Sequence, residues 1–275
     1  SFRMKKDSQL PAKVSVHPAG NDFFTTMPCL LPSDKERFGV KVVSRILGRT
    51  PSLSSDILLY NSANGELLAL INADWITSMR TGAVATLAIK TLRSSSARKY
   101  SFIGLGNTAR ATLLCLLSSF PDEIFQVVLF RYKDQAEYFI DYFRTFGNVV
   151  FSVVDTMEEL VEDADVLVSC ITDADGLLIG NDALFKPGIL LVPVHTRGFQ
   201  NCDLFFDKVF ADDTEHVRSF RYFNQFKRFN EIGDVLDGTC RGRENDKERI
   251  LSYNIGLGLH DVFFASNIYD MITNR

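Results

Sequence analysis

The stretch that most constrains this 275-residue chain is Arg98-Lys-Tyr-Ser-Phe-Ile-Gly-Leu-Gly-Asn-Thr-Ala-Arg110. An apolar run, Tyr100 to Ile103, ends at Gly104-Leu-Gly106, and a helix-compatible segment follows from Asn107 to Leu117. The order strand, glycine turn, helix suits a dinucleotide. Gly104 permits the sharp turn, and Gly106 lets the backbone approach a pyrophosphate with no Cβ in the way. The free N–H groups at the helix start, around Asn107 and Thr108, favour negative charge. Ala109 stands where the fingerprint has its third glycine and is small enough for close helix–strand packing. A short Gly-x-Gly turn between any strand and helix has the same form, so the surroundings must decide.

Those surroundings alternate as a doubly wound sheet does. Gln126 to Phe130 reads as a second strand, Lys133 to Phe146 as a helix, Val149 to Val154 as a third strand, Met157 to Asp163 as a short helix and Asp165 to Ile171 as a fourth strand. Two more strands are predicted near Ile189 to Val194 and Lys208 to Ala211. Right-handed crossovers put the ligand crevice at the carboxyl ends of these strands, near Gly104 to Thr108, Arg131, Thr172 and Val194 to Arg197.

Upstream, Lys13 to His17, Asp22 to Leu31, Arg37 to Ser44, Asp56 to Tyr60 and Leu67 to Ile71 read as strands of one antiparallel or mixed sheet, with a hairpin at Asn61-Ser-Ala-Asn-Gly65. Ala73 to Leu92 has helical spacing, with Trp75, Met79, Ala83, Leu87 and Lys90 predicted on one face. Asp212 to Arg249 is poorly patterned. Tyr253 to Ile272 regains helical spacing despite Gly256 and Gly258, which point either to a ligand or to close helix packing.

Composition narrows the class. A net charge of −4 gives no electrostatic reason for a nucleic-acid partner, and the Arg218 to Arg228 cluster reads as a solvated helix face. No apolar run approaches the roughly 20 residues that span a bilayer, so no membrane partner is expected and the cytosol is the expected compartment. The five cysteines are scattered and never spaced C-x-x-C, which indicates neither a disulfide framework nor a metal site but mostly buried thiols.

The identity of the dinucleotide turns on the second strand of the nucleotide half. An NAD site offers an acid there to the ribose 2′-OH, whereas an NADP site offers cations to the 2′-phosphate. Here Val127-Val-Leu-Phe130 runs into Arg131-Tyr-Lys133, with no acid until Asp134. The reading is NADP(H) over NAD(H), with Arg131 stacking on adenine and binding phosphate and Lys133 adding a charge. A surface arginine at a strand end is the alternative.

Asn72-Ala-Asp-Trp-Ile-Thr-Ser-Met-Arg-Thr-Gly-Ala-Val-Ala-Thr-Leu-Ala-Ile-Lys-Thr-Leu92, followed by Ile103-Gly-Leu-Gly-Asn-Thr-Ala109, resembles the ornithine cyclodeaminase/mu-crystallin family. The resemblance extends through Met27-Pro28, Lys41, Asp165 to Ile171 and Asn254-Ile-Gly-Leu-Gly-Leu-His-Asp261. It implies a homodimer whose substrate-binding and dimerisation domain, 1–94 plus 250–275, carries an inserted Rossmann domain, 95–249. The chain starts later than family members usually do, so an N-terminal helix is expected to be missing. Hydride chemistry at an amino-acid, imine or ketimine carbon of a small carboxylate substrate is implied, with NAD(P) as cofactor. By the resemblance Lys41 contacts substrate, Arg80 lies at the junction of substrate and cofactor, and Lys13 stands where the family has an arginine for the substrate carboxylate. Asn254 and Ile255 fall where the last segment meets nicotinamide and substrate.

Two departures bear on mechanism. Ornithine cyclodeaminases carry an aspartate after the fifth Rossmann strand, where this chain has Arg197, and a glutamate two residues before Met-Pro, where it has Thr25. Arginine exchanges no proton at neutral pH. His195, two residues from Arg197, is a candidate proton donor, or else a loop histidine bonded to backbone. The expectation is an NADP-dependent imine or ketimine reductase or amino-acid dehydrogenase. The alternatives are an inactive NADP-dependent binding protein of the same fold and a cyclodeaminase with displaced acids.

Overall fold

The computed structural model describes every residue except 173, 175, 196, 197, 200–203, 274 and 275. The chain divides into two compact units, 1–80 with 256–275, and 81–255, so that the second is inserted in the first.

The first unit is built on an antiparallel sheet of β1 (Val14–Val16), β2 (Phe23–Leu30), β3 (Arg37–Arg45), β4 (Leu53–Asn61) and β5 (Leu67–Asn72), in sequential order. Register sets Met27 opposite Lys41, Lys41 opposite Ile57 and Ile57 opposite Ile71. Because strand side chains alternate faces, these residues share one face with Cys29, Gly39 and Leu59. All of them but Ile71 are buried. The other face carries Thr26, Pro28, Val40, Val42 and Leu58, half-buried, and Phe24 and Leu70, exposed. That is an apolar face on an otherwise regular sheet.

Helix α1 (Asp74–Leu92) follows, tied at its start by Asp74, whose Oδ1 accepts from the Ser55 backbone N–H. The predicted core face of this helix is corrected by the structure. Trp75 and Lys90 are exposed and Met79, Ala83 and Leu87 only half-buried, whereas Ile76, Arg80, Val84, Ala85, Ala88, Ile89 and Leu92 are buried. Polar residues, Thr77, Ser78, Arg80, Thr81, Thr86 and Thr91 among them, are scattered around this helix and not gathered on one face, so its periodicity does not say which stripe points inward.

The second unit is a fully parallel eight-stranded sheet. Its elements are β6 (Lys99–Ile103), α2 (Asn107–Ser119), β7 (Phe125–Phe130), α3 (Gln135–Tyr142), β8 (Val149–Val154), α4 (Met157–Val161), β9 (Val166–Ser169), β10 (Leu190–Pro193), β11 (Lys208–Ala211), α5 (Thr214–Val217), β12 (Phe229–Glu231), α6 (Ile232–Leu236) and β13 (Ile250–Tyr253). The strand order is β12-β11-β13-β10-β9-β6-β7-β8. Chain direction across the sheet reverses at β6, which pairs with β7 on one side and β9 on the other. This is the doubly wound Rossmann arrangement, with its switch point at the carboxyl ends of β6 and β9. Ile250–Tyr253, at the edge of the segment read as helix, is instead a central buried strand between β10 and β11.

The chain returns to the first unit as α7 (Gly258–Thr273), which lies on the buried face of the antiparallel sheet. Contact is close: a Cβ on Gly39 would come 2.7 Å from Val262 Cγ2, and one on Gly258 would come 3.1 Å from the Met27 carbonyl oxygen. Gly258 is therefore explained by helix–sheet packing. No helix of the described residues is long and apolar enough to cross a membrane.

Candidate active site

In the inserted unit the switch point is assembled around Gly104. Its φ of +78° lies in the left-handed region, and a Cβ there would come 2.6 Å from the Cys170 carbonyl carbon and the Ile171 nitrogen, so the end of β6 and the end of β9 touch only because Gly104 has no side chain. Gly106 behaves differently: a Cβ would meet nothing within 4 Å. Gly106 is the N-cap of α2 and supplies no side-chain cap, and the first turn, from Asn107 and Thr108, contains no acid. Its N–H groups are thus left for an anion that the open space over Gly106 admits. Thr172 is exposed just beyond β9.

Arg131 and Lys133 lie beyond the end of β7. Arg131 is held by two acids that the sequence reading did not connect with it: Nε donates to Asp155 Oδ1 and Nη1 to Glu137 Oε1, each at 2.8 Å. All three side chains are exposed. Lys133 adopts φ +51° and its ammonium lies 5.2 Å from the centre of the Tyr132 ring.

Beyond β13, Asn254 is fully buried. Its Nδ2 donates to the Ser252 carbonyl at 2.8 Å, which leaves Oδ1 as a buried acceptor with no hydrogen-bond partner among the described residues. Ile255 is half-buried against the unit's core. His195 Nε2 lies 2.7 Å from Ser169 Oγ, and its ring stacks on Phe199. The backbone-bonded alternative for His195 thus gives way, at this nitrogen, to a side-chain hydroxyl. Arg197 lies outside the described residues.

The first unit contains a second, separate cluster. Lys41, on β3, is 1% exposed and Arg80, on α1, 5%; one fully buried carboxylate, Asp261 in the first turn of α7, meets both. Arg80 Nε donates to Asp261 Oδ1 at 2.8 Å, and Lys41 Nζ lies 2.8 Å from Oδ2. Arg80 Nη1 is buried with no hydrogen-bond partner among the described residues. Gly256 makes room for this guanidinium: at φ +94° it has no Cβ, which would otherwise fall 1.7 Å from Nη1. Lys13 is half-buried, its Nζ reaching the Gly256 carbonyl at 3.4 Å.

The electrostatics follow from burial. Desolvation pushes the Lys41 ammonium down, the Arg80 charge and Lys13 push it further, and Asp261 opposes them, bringing it to about 7. For Asp261 burial favours the neutral form, but Arg80 and Lys41 outweigh it and hold the carboxyl below its usual range. Thr25 is buried and hydrogen-bonded through its hydroxyl to Ser15 Oγ at 2.7 Å.

The sequence profile of the ornithine cyclodeaminase/mu-crystallin family matches residues 1–275. The chain belongs to this family. Among its relatives, the nodulation efficiency protein NfeD of Rhizobium meliloti is 27% identical over 273 residues, covering 95% of this chain and 83% of that protein. The delta(1)-pyrroline-2-carboxylate reductase of Bacillus cereus is 27% identical over 256 residues, 86% of this chain and 77% of that enzyme. The same fold is seen in the delta(1)-pyrroline-2-carboxylate reductase of Thermococcus litoralis, solved with NADH and L-proline, at a TM-score of 0.86 and 22% identity over 99% of this chain and 90% of that one.

Within an ornithine cyclodeaminase/mu-crystallin protein, then, the structure brings Lys13, Lys41 and Arg80 into one cluster, and sets the glycine turn, Thr172, His195 and Asn254 beyond the carboxyl ends of one parallel sheet. Sequence reading missed Asp261 and Gly256 as members of the cation cluster. The signal available was a histidine–aspartate pair followed directly by the apolar run Val262-Phe-Phe-Ala265 at the start of a helix, an expensive place to bury a charge.

Proposed function

We propose that this chain is an oxidoreductase that binds NADP(H) in preference to NAD(H) and transfers hydride at an imine, ketimine or amino-acid carbon of a small carboxylate substrate. The observation that carries the reading is the buried cluster with excess positive charge. Lys41 and Arg80 share one carboxylate, Lys13 adds its charge, and Arg80 Nη1 is a buried donor with nothing to donate to. Such a donor costs free energy unless an acceptor arrives, and a substrate carboxylate is the acceptor this charge selects.

The residues around Gly104 fit a dinucleotide: Gly106 sets no Cβ beside the helix-start N–H groups, where Asn107 and Thr108 would flank the pyrophosphate, and Asn254 offers a buried acceptor suited to a carboxamide N–H. Arg131 and Lys133 would meet the 2′-phosphate, which would displace Asp155 and Glu137 from exposed ion pairs that are weak to begin with. Thr172 would complete the contacts of this unit to the cofactor. When bound, the nicotinamide supplies or accepts the hydride.

This chain's own groups do the rest. Arg80 and Lys13 bind and orient the carboxylate. Ile255 bounds the substrate on its apolar side. Lys41, close to neutrality, holds a proton that it can give to a substrate nitrogen as hydride arrives and recover in the reverse direction. His195 is the second candidate proton group.

A homodimer completes the proposal. The apolar sheet face with Val40, Val42, Leu58 and exposed Leu70 suits burial against a second copy. Light scattering reads the state directly.

The deciding experiment uses purified protein, NADPH or NADH, and a panel of cyclic imines and 2-oxo acids with ammonia, followed by absorbance loss at the nicotinamide band. Turnover with at least one carboxylate-bearing imine or 2-oxo acid, faster with NADPH, is expected. NADPH binding without any turnover would favour the inactive binding protein instead.

A further inference from the structure

Lys41 and Arg80 come from a strand and a helix far apart in sequence, and nothing in either element alone fixes the angle between their heads. The fully buried Asp261 does. Its two oxygens are divided between them, Oδ1 to Arg80 Nε and Oδ2 to Lys41 Nζ, both at 2.8 Å. Arg80 uses the side of its guanidinium nearest the chain for this contact, and Nη1 is the donor left over.

We infer that Asp261 is the positioning residue of this site: one carboxylate holds the Lys41 ammonium and the Arg80 side chain together, engaging Arg80 through Nε so that Nη1 is the donor kept for a substrate carboxylate. The inference rests on the reading of the cluster as a substrate site. Asp261 itself touches no substrate in this account and acts through its two partners.

The charges around Lys41 support the assignment. Arg80 on α1 and Lys13 before β1 both oppose its ammonium, and burial opposes it most; Asp261 on α7 is the charge that favours it. Cys29 on β2 also feels Asp261, and its thiol is pushed up to about 12 by burial first and by that carboxylate second, so it remains neutral. Removing the Asp261 charge while keeping its shape therefore leaves Lys41 without its stabilising partner, and its proton should leave at a lower pH.

The test is Asp261→Asn in the full chain, with lysine labelled with ¹³C at Cε and the Lys41 signal identified by its loss in Lys41→Met. In the wild type the Lys41 signal should titrate near 7. In D261N its midpoint should fall by about one pH unit or more, the size of a lost close charge. KM for the carboxylate substrate should rise roughly tenfold to a hundredfold.

An unchanged Lys41 midpoint in folded D261N overturns the inference, as does a wild-type midpoint at the ordinary lysine value. Should D261N fail to fold, Asp261→Glu keeps the charge on a longer arm. It should hold the midpoint near that of wild type but raise KM, and an unaltered KM would count against positioning. The titration needs no turnover, so a protein inactive towards every imine but with a shifted midpoint in D261N would sink the proposed reaction and leave Asp261's role standing.

Discussion

The two glycines of the turn should fail in opposite ways. Alanine at position 104 must adopt φ +78° and place its methyl 2.6 Å from the Cys170 carbonyl carbon and the Ile171 nitrogen. The left-handed conformation costs roughly 1–2 kcal/mol. Overpacking against backbone, which cannot swing away as a side chain can, adds about 1–3 kcal/mol. Gly104→Ala should therefore lose ~2–5 kcal/mol of stability, read as a lower urea midpoint at unchanged slope. At position 106 the backbone φ is −83° and an added methyl meets nothing within 4 Å. Gly106→Ala should be as stable as wild type or gain about 0.4–1 kcal/mol from a stiffer unfolded chain. It should nevertheless weaken NADPH binding by about tenfold or more, ~1.4 kcal/mol, because the methyl fills the approach to the backbone. Nicotinamide fluorescence titration supplies the affinity. G106A binding NADPH within twofold of wild type, or G104A unfolding at the wild-type midpoint, would refute the division of roles.

Three further outcomes are expected. With Lys41 near 7, its ammonium is present below that pH and lost above it, so kcat/KM for imine reduction should fall ~30-fold from about pH 6 to 8.5, and Lys41→Arg, which keeps the charge but gives up no proton in this range, should lose most of the activity at every pH. Arg131→Ala should raise KM for NADPH about tenfold and KM for NADH by much less, because NADH loses only the stacking on adenine and carries no 2′-phosphate; steady-state kinetics with the two cofactors compare them. Gly256→Ala would set its methyl 1.7 Å from Arg80 Nη1 at φ +94°, so Arg80 must move: KM for the carboxylate substrate should rise and stability should fall by about 1–2 kcal/mol, read by steady-state kinetics and by the urea midpoint.

Much of the fold was legible because it is written in local patterns. The glycine turn, the five antiparallel strands and the alternation that follows each depend on neighbours within about ten residues, and their bounds come out within a few positions. What failed was non-local. Trp75, Met79, Ala83, Leu87 and Lys90 form a regular stripe, but burial of Ile76, Val84, Ala85 and Ala88 is decided by what packs on α1, which the helix's own periodicity does not contain. Ile250–Tyr253 is four residues long and abuts another apolar run, so its insertion between β10 and β11 leaves no separate signal. Asp155 reaches Arg131 from the next strand in the sheet, 24 residues away. Asp261 reaches Arg80 from 181 residues away.

That last pairing alters how the missing acids bear on chemistry. A site that has Thr25 in place of a glutamate looks, residue by residue, like one that has lost its proton donor. The buried acid that remains, Asp261, is no substitute: Arg80 and Lys41 prevail over burial and keep it ionised, so it has no proton to give near neutral pH. What it does instead is let two cations stay buried beside each other. An ammonium so placed is the weaker proton holder of the pair, since arginine does not release its proton, and Lys41 is brought to about 7. On the proposed reading, the acid–base capacity of this cluster rests on an amine in place of a carboxylate. A carboxyl donor at its ordinary pKa loses activity above about pH 4–5, whereas an amine tuned this way donates up to neutrality and accepts just beyond it. Imine reduction needs a proton delivered to nitrogen as hydride reaches carbon, and dehydrogenation needs it taken away; an amine that titrates between the two serves both directions with one residue.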